Sequence, residues 1–382
     1  MVVDAIVHMG MPRTGTSAIQ IMLARSRDAL ERQGFRYNTT FGRRSSQASL
    51  PARIMLSRLD RDAIKRRFPM LLMHVPEDEE GLRKLDGALD QEIAEHPGRT
   101  FIFSAEDLSV MLAVDGLAEP MTRYFSERFD RVRYVIYLRR QDRHIESWLA
   151  QRAKVGTVRS FDATMERAIE QGDYLYHRNL ERLARHVGRE SIVVRPFERG
   201  ALHGRDAAFN FADVLGLDAM TLERADDTVN ASWDVQSIGY VEHMARHVAA
   251  EKDGLVTPAW RLIYDTISGM EQRGEPLRMS QARAEAFVAR FAEENAAVAR
   301  AYLGREDGTL FEEPIEGPDE DSVPRIDLDR MAQITARIVE RAAASADASK
   351  PDDRDARIAF LRRRLAEANA RAEALRTAST SH

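Results

Sequence analysis

Residues 2–37 read VVDAIVHMGMPRTGTSAIQIMLARSRDALERQGFRY, and the order of patterns within them decides the fold. Val2, Val3, Ala5, Ile6 and Val7 form a short, mostly β-branched run, which suits a strand buried on both faces. Gly10 to Gly15 interrupts it as a turn. From Thr16 to Gln33 the apolar residues Ile19, Met22, Leu23 and Leu30 recur at helical spacing, and Gly34 stands where a C-cap glycine belongs. Phe35 to Tyr37 reads as a second strand. Strand, turn, helix and strand in that order make a βαβ unit and predict a parallel sheet.

The pattern repeats downstream. A helix over Leu82 to His96 precedes a strand at Thr100 to Ser104, and a helix around Met121 to Phe129 precedes a strand at Val132 to Leu138. A helix over Tyr174 to His186 precedes a strand at Ile192 to Val194. The expected fold class is α/β, a three-layer sandwich with a central parallel sheet flanked by helices. Residues from about 205 to 305 read as mostly helical. One domain is expected over 1–310, followed by an acidic, Pro-containing connection and linker over 311–352, of which 343–355 is the linker proper. A C-terminal helix is expected over 353–382. There Ile358, Leu361, Leu365, Ala368, Ala372 and Leu375 follow a short a/d pattern, which suits an exposed, frayed helix or a weak homo-oligomerisation helix.

Composition narrows the function. The chain has 382 residues, 44% of them hydrophobic and 31% charged, which is a globular composition. Its net charge of −5 argues against a general nucleic-acid coat, though not against a local basic pocket. It contains no cysteine, which removes disulfides, thiolate metal sites and cysteine nucleophiles. Basic residues are 51 Arg against 5 Lys. No apolar stretch is long enough for a transmembrane helix and no signal peptide is evident, so a cytoplasmic location is expected.

The turn Gly10-Met11-Pro12-Arg13-Thr14-Gly15-Thr16-Ser17 joins a buried strand to a helix. A helix N-terminus offers unpaired N–H groups and a positive dipole end, and glycines let the backbone wrap close to an anion. Thr16 and Ser17 add hydroxyls and Arg13 adds a fixed charge, which is the chemistry of a phosphate cradle. Gly10, Gly15 and Ser17 fit the spacing of the nucleotide-triphosphatase P-loop, G-x4-G-K-[ST], but Thr16 occupies its lysine position. A Gly-containing βα turn that binds nothing is the plain alternative.

Pro12-Arg13-Thr14-Gly15-Thr16-Ser17 resembles the Pro-Lys-x-Gly-Thr-Thr/Ser loop of the sulfotransferases that use 3′-phosphoadenosine 5′-phosphosulfate (PAPS), a P-loop-like fold. The resemblance implies that this loop holds the 5′-phosphosulfate. Arg13 departs from the usual Lys, and Ala18 stands where a third hydroxyl residue is common. The family's second motif is a strand ending in Arg with Ser eight residues later. It maps onto Arg139 and Ser147, and implies that these two bind the 3′-phosphate. Arg offers a planar fork to phosphate oxygens and Ser a short hydrogen bond. Phe103 to Leu108, Arg195 to Glu198, and Asn230 to Ser232, an Asn-x-Ser element common in bacterial members, resemble further family fragments. The resemblance spans about residues 1–310.

Sulfuryl transfer needs positioning, charge stabilisation and a base for the acceptor proton. Glu106, two residues past the strand at Thr100 to Ser104, is the expected base, with Arg13 beside it as the catalytic cation. The other reading of Glu106 is a helix first-turn carboxylate that complements the dipole, and Ser104 with Asp107 suits a cap there equally well. His8 reads as a core or pocket-wall histidine, His144 as an exposed helix residue with contact to phosphate as the alternative, and Tyr174 and Tyr176 as core with stacking on adenine as the alternative. His243 and His247 share a helix face but have no third ligand, so no metal is expected. The basic stretches GRRSS, with Arg43 and Arg44, and RDAIKRR suit an acceptor cleft or a solvated loop. The implied reaction carries a sulfuryl group from PAPS to a hydroxyl of a carbohydrate or small molecule. The alternatives are a P-loop nucleotide kinase or NTPase and a non-catalytic nucleotide-binding module.

Overall fold

A computed structural model of the chain describes residues 3–348, except 43–44, 69–70, 158, 199, 203, 205, 224–232, 253–254 and 273. The readings made for Arg43, Arg44, Asn230, Ser232 and the 353–382 helix lie outside the described residues. In chain order the elements are β1 (Asp4–His8), α1 (Thr16–Arg25), α2 (Arg27–Arg32), β2 (Phe35–Tyr37), α3 (Ser49–Met55), α4 (Arg61–Arg67) and α5 (Glu79–Glu95). Then come β3 (Thr100–Ser104), α6 (Asp107–Met111), α7 (Ala118–Ser126), β4 (Arg131–Leu138), α8 (Gln141–Lys154), α9 (Phe161–Gln171), α10 (Tyr176–Val187) and β5 (Ile192–Pro196). The remainder is α11 (Ala207–Leu215), α12 (Val235–Met244), β6 (Glu251–Lys252), β7 (Leu255–Val256), α13 (Pro258–Ser268), α14 (Gln281–Ala289), α15 (Ala292–Leu303) and α16 (Leu328–Ala348).

Strands β1 to β5 form one sheet in the order β2-β3-β1-β4-β5, and every pair in it is parallel. Period-two alternation then divides the side chains between two layers. Ile6, Ile102, Val135 and Tyr137 pack with Ile19, Met22 and Leu23 of α1, Leu30 of α2 and Phe211 of α11. On the other face, Phe101, Phe103 and Tyr134 meet the α7 side, with Phe103 and Tyr134 edge-on to Phe125 at 5.2 and 6.2 Å between ring centres. The expected α/β sandwich on a parallel sheet is what forms.

The single helix expected over Thr16 to Gln33 is two. The chain turns at Ser26, whose φ of −95° and ψ of 19° leave the helical region. The Ser26 hydroxyl accepts the N–H of Glu223 at 2.8 Å, so this side chain serves another segment instead of the helix. The expectation of mostly helix over 205–305 missed the short antiparallel β6–β7 hairpin. Helix also extends into the expected linker, to Ala348, because its alanines are the strongest helix formers.

The chain divides into two compact units, one made of 1–153, 158–232 and 276–323, the other of 154–157, 233–275 and 324 onward. The boundary expected near 310 is therefore not where they divide. Backbone hydrogen bonds explain why: Gln281 donates to Pro318 and Ser322 to Arg278 within the first unit, while Arg325 donates to Val235 within the second. In the second unit α13 packs on α16, and the Lys154 ammonium lies 5.5 Å from the centre of the buried Trp233 ring. Among the described residues no helix is long and apolar enough to cross a membrane.

Leu23 is fully buried between α1 and the sheet. Leu23→Ala is expected to cost about 2–5 kcal/mol, the range for emptying a core leucine site, read from the urea midpoint. A loss under about 1 kcal/mol would show that this layer is not a packed core.

Candidate functional site

Strand order places the site. The chain leaves β1 toward β2 on one side and leaves β4 toward β5 on the other, so the topological switch point, where open α/β sheets place ligands, lies at the carboxyl ends of these neighbours. The β1–β4 ladder continues past both strands: Met9 donates to the Val135 carbonyl at 2.9 Å, Tyr137 to Gly10 at 2.7 Å, and Met11 to Tyr137 at 3.1 Å. On the β3 side, Ala105 donates to His8 at 3.1 Å. Three loops, one from each of β3, β1 and β4, are thereby brought to the same edge.

The loop between β1 and α1 turns on two glycines. At Gly10, with φ of 85°, a Cβ would stand 2.8 Å from the Glu106 Cα, so only glycine lets the two loops approach this closely. Gly15, with φ of 76°, is the N-cap of α1 and supplies no side-chain cap, and no acid sits in the first turn. The first-turn N–H groups and the dipole end of α1 are thus available to an anion. The Thr14 and Thr16 hydroxyls both donate to the Met11 carbonyl, at 2.6 and 3.4 Å, and hold the loop closed on itself. Ser17 is exposed in the first turn.

Arg13 is in the left-handed region, with φ of 66°, a conformation that costs a non-glycine residue about 1–3 kcal/mol. Its side chain and carbonyl hold it there. Nε donates to Ser147 Oγ at 2.9 Å and Nη1 to Gln151 Oε1 at 3.2 Å, while Arg139 Nη1 donates to the Arg13 carbonyl at 2.6 Å. The two sequence motifs therefore meet in one cluster rather than at two separate places. Arg139 also lies over the Phe197 ring, 5.4 Å from its centre, and Tyr176 donates to the Arg139 carbonyl at 2.6 Å. Burial, and then the charge of Arg13, lower the Arg139 pKa to about 10, so these two cations crowd each other at the head of α1.

His144 is a correction. It is not an exposed helix residue but is buried, and it sits under the loop. Its Nε2 faces the Pro12 carbonyl at 3.1 Å and its Nδ1 faces the Tyr174 hydroxyl at 2.6 Å. A carbonyl only accepts, so Nε2 carries the proton and Nδ1 accepts from Tyr174. Burial, reinforced by the charge of Arg139, lowers the His144 pKa to about 3 and keeps the ring neutral. His144, Ser147 and Gln151 lie three and four residues apart on α8, a spacing that puts all three on one helix face. That periodicity was the available signal for His144 and Gln151. Glu146 was missed as well. It is buried, accepts from Arg143, Arg278 and the Met279 N–H at 3.1–3.2 Å, and is pushed up to about 7 by burial.

Glu106 stands at the N-cap of α6 and makes no side-chain cap bond there. Burial first, then the neighbouring Asp107 carboxylate, raise its pKa to about 7, against the opposing pull of Arg13. His8, at the end of β1, is buried and has a pKa lowered to about 3 by burial. Its Nδ1 shares a 2.8 Å hydrogen bond with Ser104 Oγ and its ring packs on Phe211, which agrees with a core or pocket-wall role. Tyr174 and Tyr176 are buried, as the sequence suggested. His247 falls beyond the end of α12, so it and His243 do not share that helix. Among the described residues no three metal-capable side chains cluster.

The structure is similar to the crystal structure of a sulfotransferase from Alicyclobacillus acidocaldarius, at 15% identity and a TM-score of 0.35 over 63% of this chain and 92% of that one. No protein-family model and no curated protein matches the chain.

The raised Glu106 pKa makes a signed prediction. The folded protein keeps this proton where the unfolded chain gives it up, so the resulting stability is complete below about 4.5 and is lost as pH rises through about 7. Glu106→Gln should leave the melting temperature unchanged near pH 4.5 and raise it relative to the parent at pH 8. A difference that does not vary with pH would remove the shift assigned to Glu106. Separately, Gly10→Ala combines a strained φ with a clash against the Glu106 backbone. It should destabilise by more than about 1 kcal/mol in urea unfolding.

Proposed function

We propose that the chain is a sulfotransferase that carries a sulfuryl group from PAPS to a hydroxyl of a carbohydrate or small-molecule acceptor. The observation that carries the reading is the crowding of Arg13 and Arg139 at the uncapped N-terminus of α1. Two guanidinium groups that disfavour each other's charge are relieved by a polyanion between or beside them, and the helix end adds its own attraction. Pro12, Arg13, Thr14, Gly15, Thr16 and Ser17 would hold the 5′-phosphosulfate, and Arg139 and Ser147 the 3′-phosphate. Ser147 now binds Arg13, so cofactor entry on this reading exchanges that bond for bonds to phosphate oxygens.

In the reaction, a bond forms between the acceptor oxygen and sulfur while the bond from sulfur to the 5′-phosphate oxygen breaks. The leaving 3′-phosphoadenosine 5′-phosphate keeps the electron pair, and Arg13 meets the charge that builds on it. The acceptor proton passes to Glu106. A carboxyl titrating near 7 suits this task, because a large share of it is then ionised in neutral solution while it is still basic enough to take a proton. His144 acts through the loop alone. It holds the Pro12 carbonyl, and being neutral it adds no charge next to the two arginines.

Thermal shift with 3′-phosphoadenosine 5′-phosphate and with Mg-ATP tests the reading. A ligand at 100 times its Kd stabilises by about 2.7 kcal/mol. Stabilisation by the first and not the second is expected. The reverse pattern would assign a P-loop kinase or NTPase, and no response to either would leave a module without this chemistry. Glu106→Gln should lower turnover about 10²–10⁴-fold while cofactor affinity stays within roughly a factor of two. In the parent, kcat/KM should rise with pH up to about 7 and then level, as expected for a base that must be ionised. A pH-independent rate below 7 would remove Glu106 from the role.

A further inference from the structure

Arg13 is anchored twice by α8. Its Nε donates to Ser147 Oγ at 2.9 Å and its Nη1 to Gln151 Oε1 at 3.2 Å, and the two acceptors stand about one turn apart on the helix face that meets the loop. Two bonds from two nitrogens of one planar group fix the plane of that group, where a single bond leaves it free to swivel. The third contact, from Arg139, reaches only the Arg13 carbonyl, so it fixes the backbone and not the guanidinium. The need for a fixed plane comes from the side chain itself. A lysine delivers its charge as a point through three rotatable donors, so its aim matters little. A guanidinium is a rigid fork whose donors all lie in one plane.

The two anchors are not equivalent. On the sulfotransferase reading, Ser147 exchanges its bond to Arg13 for bonds to cofactor phosphate, so it is lost as an anchor when the site fills. Gln151 carries no such second duty. Its chemistry also suits a lasting contact. An amide oxygen accepts from the guanidinium without cancelling its charge, whereas a carboxylate in the same place would form an ion pair and weaken the attraction for an incoming anion.

We propose that Gln151 is a positioning residue for transfer, which keeps the Arg13 guanidinium turned toward the leaving phosphate after Ser147 has gone over to the cofactor. The inference rests on the sulfotransferase reading. Gln151 acts through Arg13 alone, so its loss spares cofactor binding, which needs the charge, and slows the chemical step, which needs the charge in the right orientation.

The test needs no known acceptor. With the full chain in excess over PAPS, water takes the sulfuryl group: its oxygen bonds to sulfur, the bond from sulfur to the 5′-phosphate oxygen breaks, and sulfate, a proton and 3′-phosphoadenosine 5′-phosphate are released. The rate constant of that release, the calorimetric affinity for 3′-phosphoadenosine 5′-phosphate and the melting temperature are read for each variant. Gln151→Met keeps the length but offers only a weak acceptor, and should slow release about 10–100-fold with affinity within about threefold of the parent. Gln151→Glu keeps an acceptor oxygen but adds a negative charge. It should do the converse, weakening affinity at least about tenfold while the saturated rate stays within about threefold. Arg13→Lys removes the plane that needs holding, so adding Gln151→Met to it should change its rate by less than about twofold. A parental rate in Gln151→Met overturns the inference, as does an undiminished effect of Gln151→Met in the Arg13→Lys background. So do equal losses of rate and affinity in both Gln151 variants with a lowered melting temperature, the mark of a merely structural role. A parent that is not stabilised by 3′-phosphoadenosine 5′-phosphate and does not release it from PAPS removes the sulfotransferase reading, and the inference falls with it. A parent that turns over while Gln151→Met matches it removes the inference alone.

Discussion

The pairing of β1 with β4 is the constraint on which the rest of the site depends. Its register aligns Asp4 with Arg131 and His8 with Val135, and the ladder continues through Gly10 and Met11 to Tyr137. With that register, the loop after β1 and the start of α8 after β4 emerge side by side. Arg13 then reaches Ser147 and Gln151, and Arg139 reaches back to the Arg13 carbonyl. A slip of one residue would turn every side chain of β1 to the opposite face and break these contacts together with the core. The site and the hydrophobic layers thus share one determinant.

Electrostatics inside this frame follow from how little water reaches it. Burial moves Glu106 up to about 7 and His144 down to about 3, and burial together with the charge of Arg13 lowers Arg139 to about 10. The groups are pushed toward neutrality where they are alone and toward mutual repulsion where two cations meet. The left-handed backbone at Arg13 belongs to the same balance, because the bonds to Ser147, Gln151 and Arg139 hold a conformation the residue would otherwise leave. His144, locked between the Tyr174 hydroxyl and the Pro12 carbonyl, fixes the loop from beneath without adding charge.

The strands of the parallel sheet were legible because each is short, largely apolar and bounded by turn residues, so period and length agree: Phe35–Tyr37 and Thr100–Ser104 fall where the sequence placed them. The break at Ser26 was not, since it depends on a hydroxyl accepting from Glu223, nearly two hundred residues away. The same holds for the division into two units. Which of two backbone stretches pairs with residues 318–325 leaves no mark in local composition.

What the sequence determined by itself was local: a glycine-bounded turn between a buried strand and a helix, an arginine ending a strand with a serine eight residues on, and a carboxylate just past the next strand. Those residue types and spacings fix what each segment can offer, because backbone period and side-chain chemistry are properties of a few neighbouring residues. Only the tertiary structure decided which of them meet and in what state of charge. It joined the two motifs through Arg13 and Ser147 and moved His144 from the surface to the underside of the loop. The reason is physical: contact, burial and pKa depend on what long-range packing brings to within a few ångströms, and no local pattern carries that information.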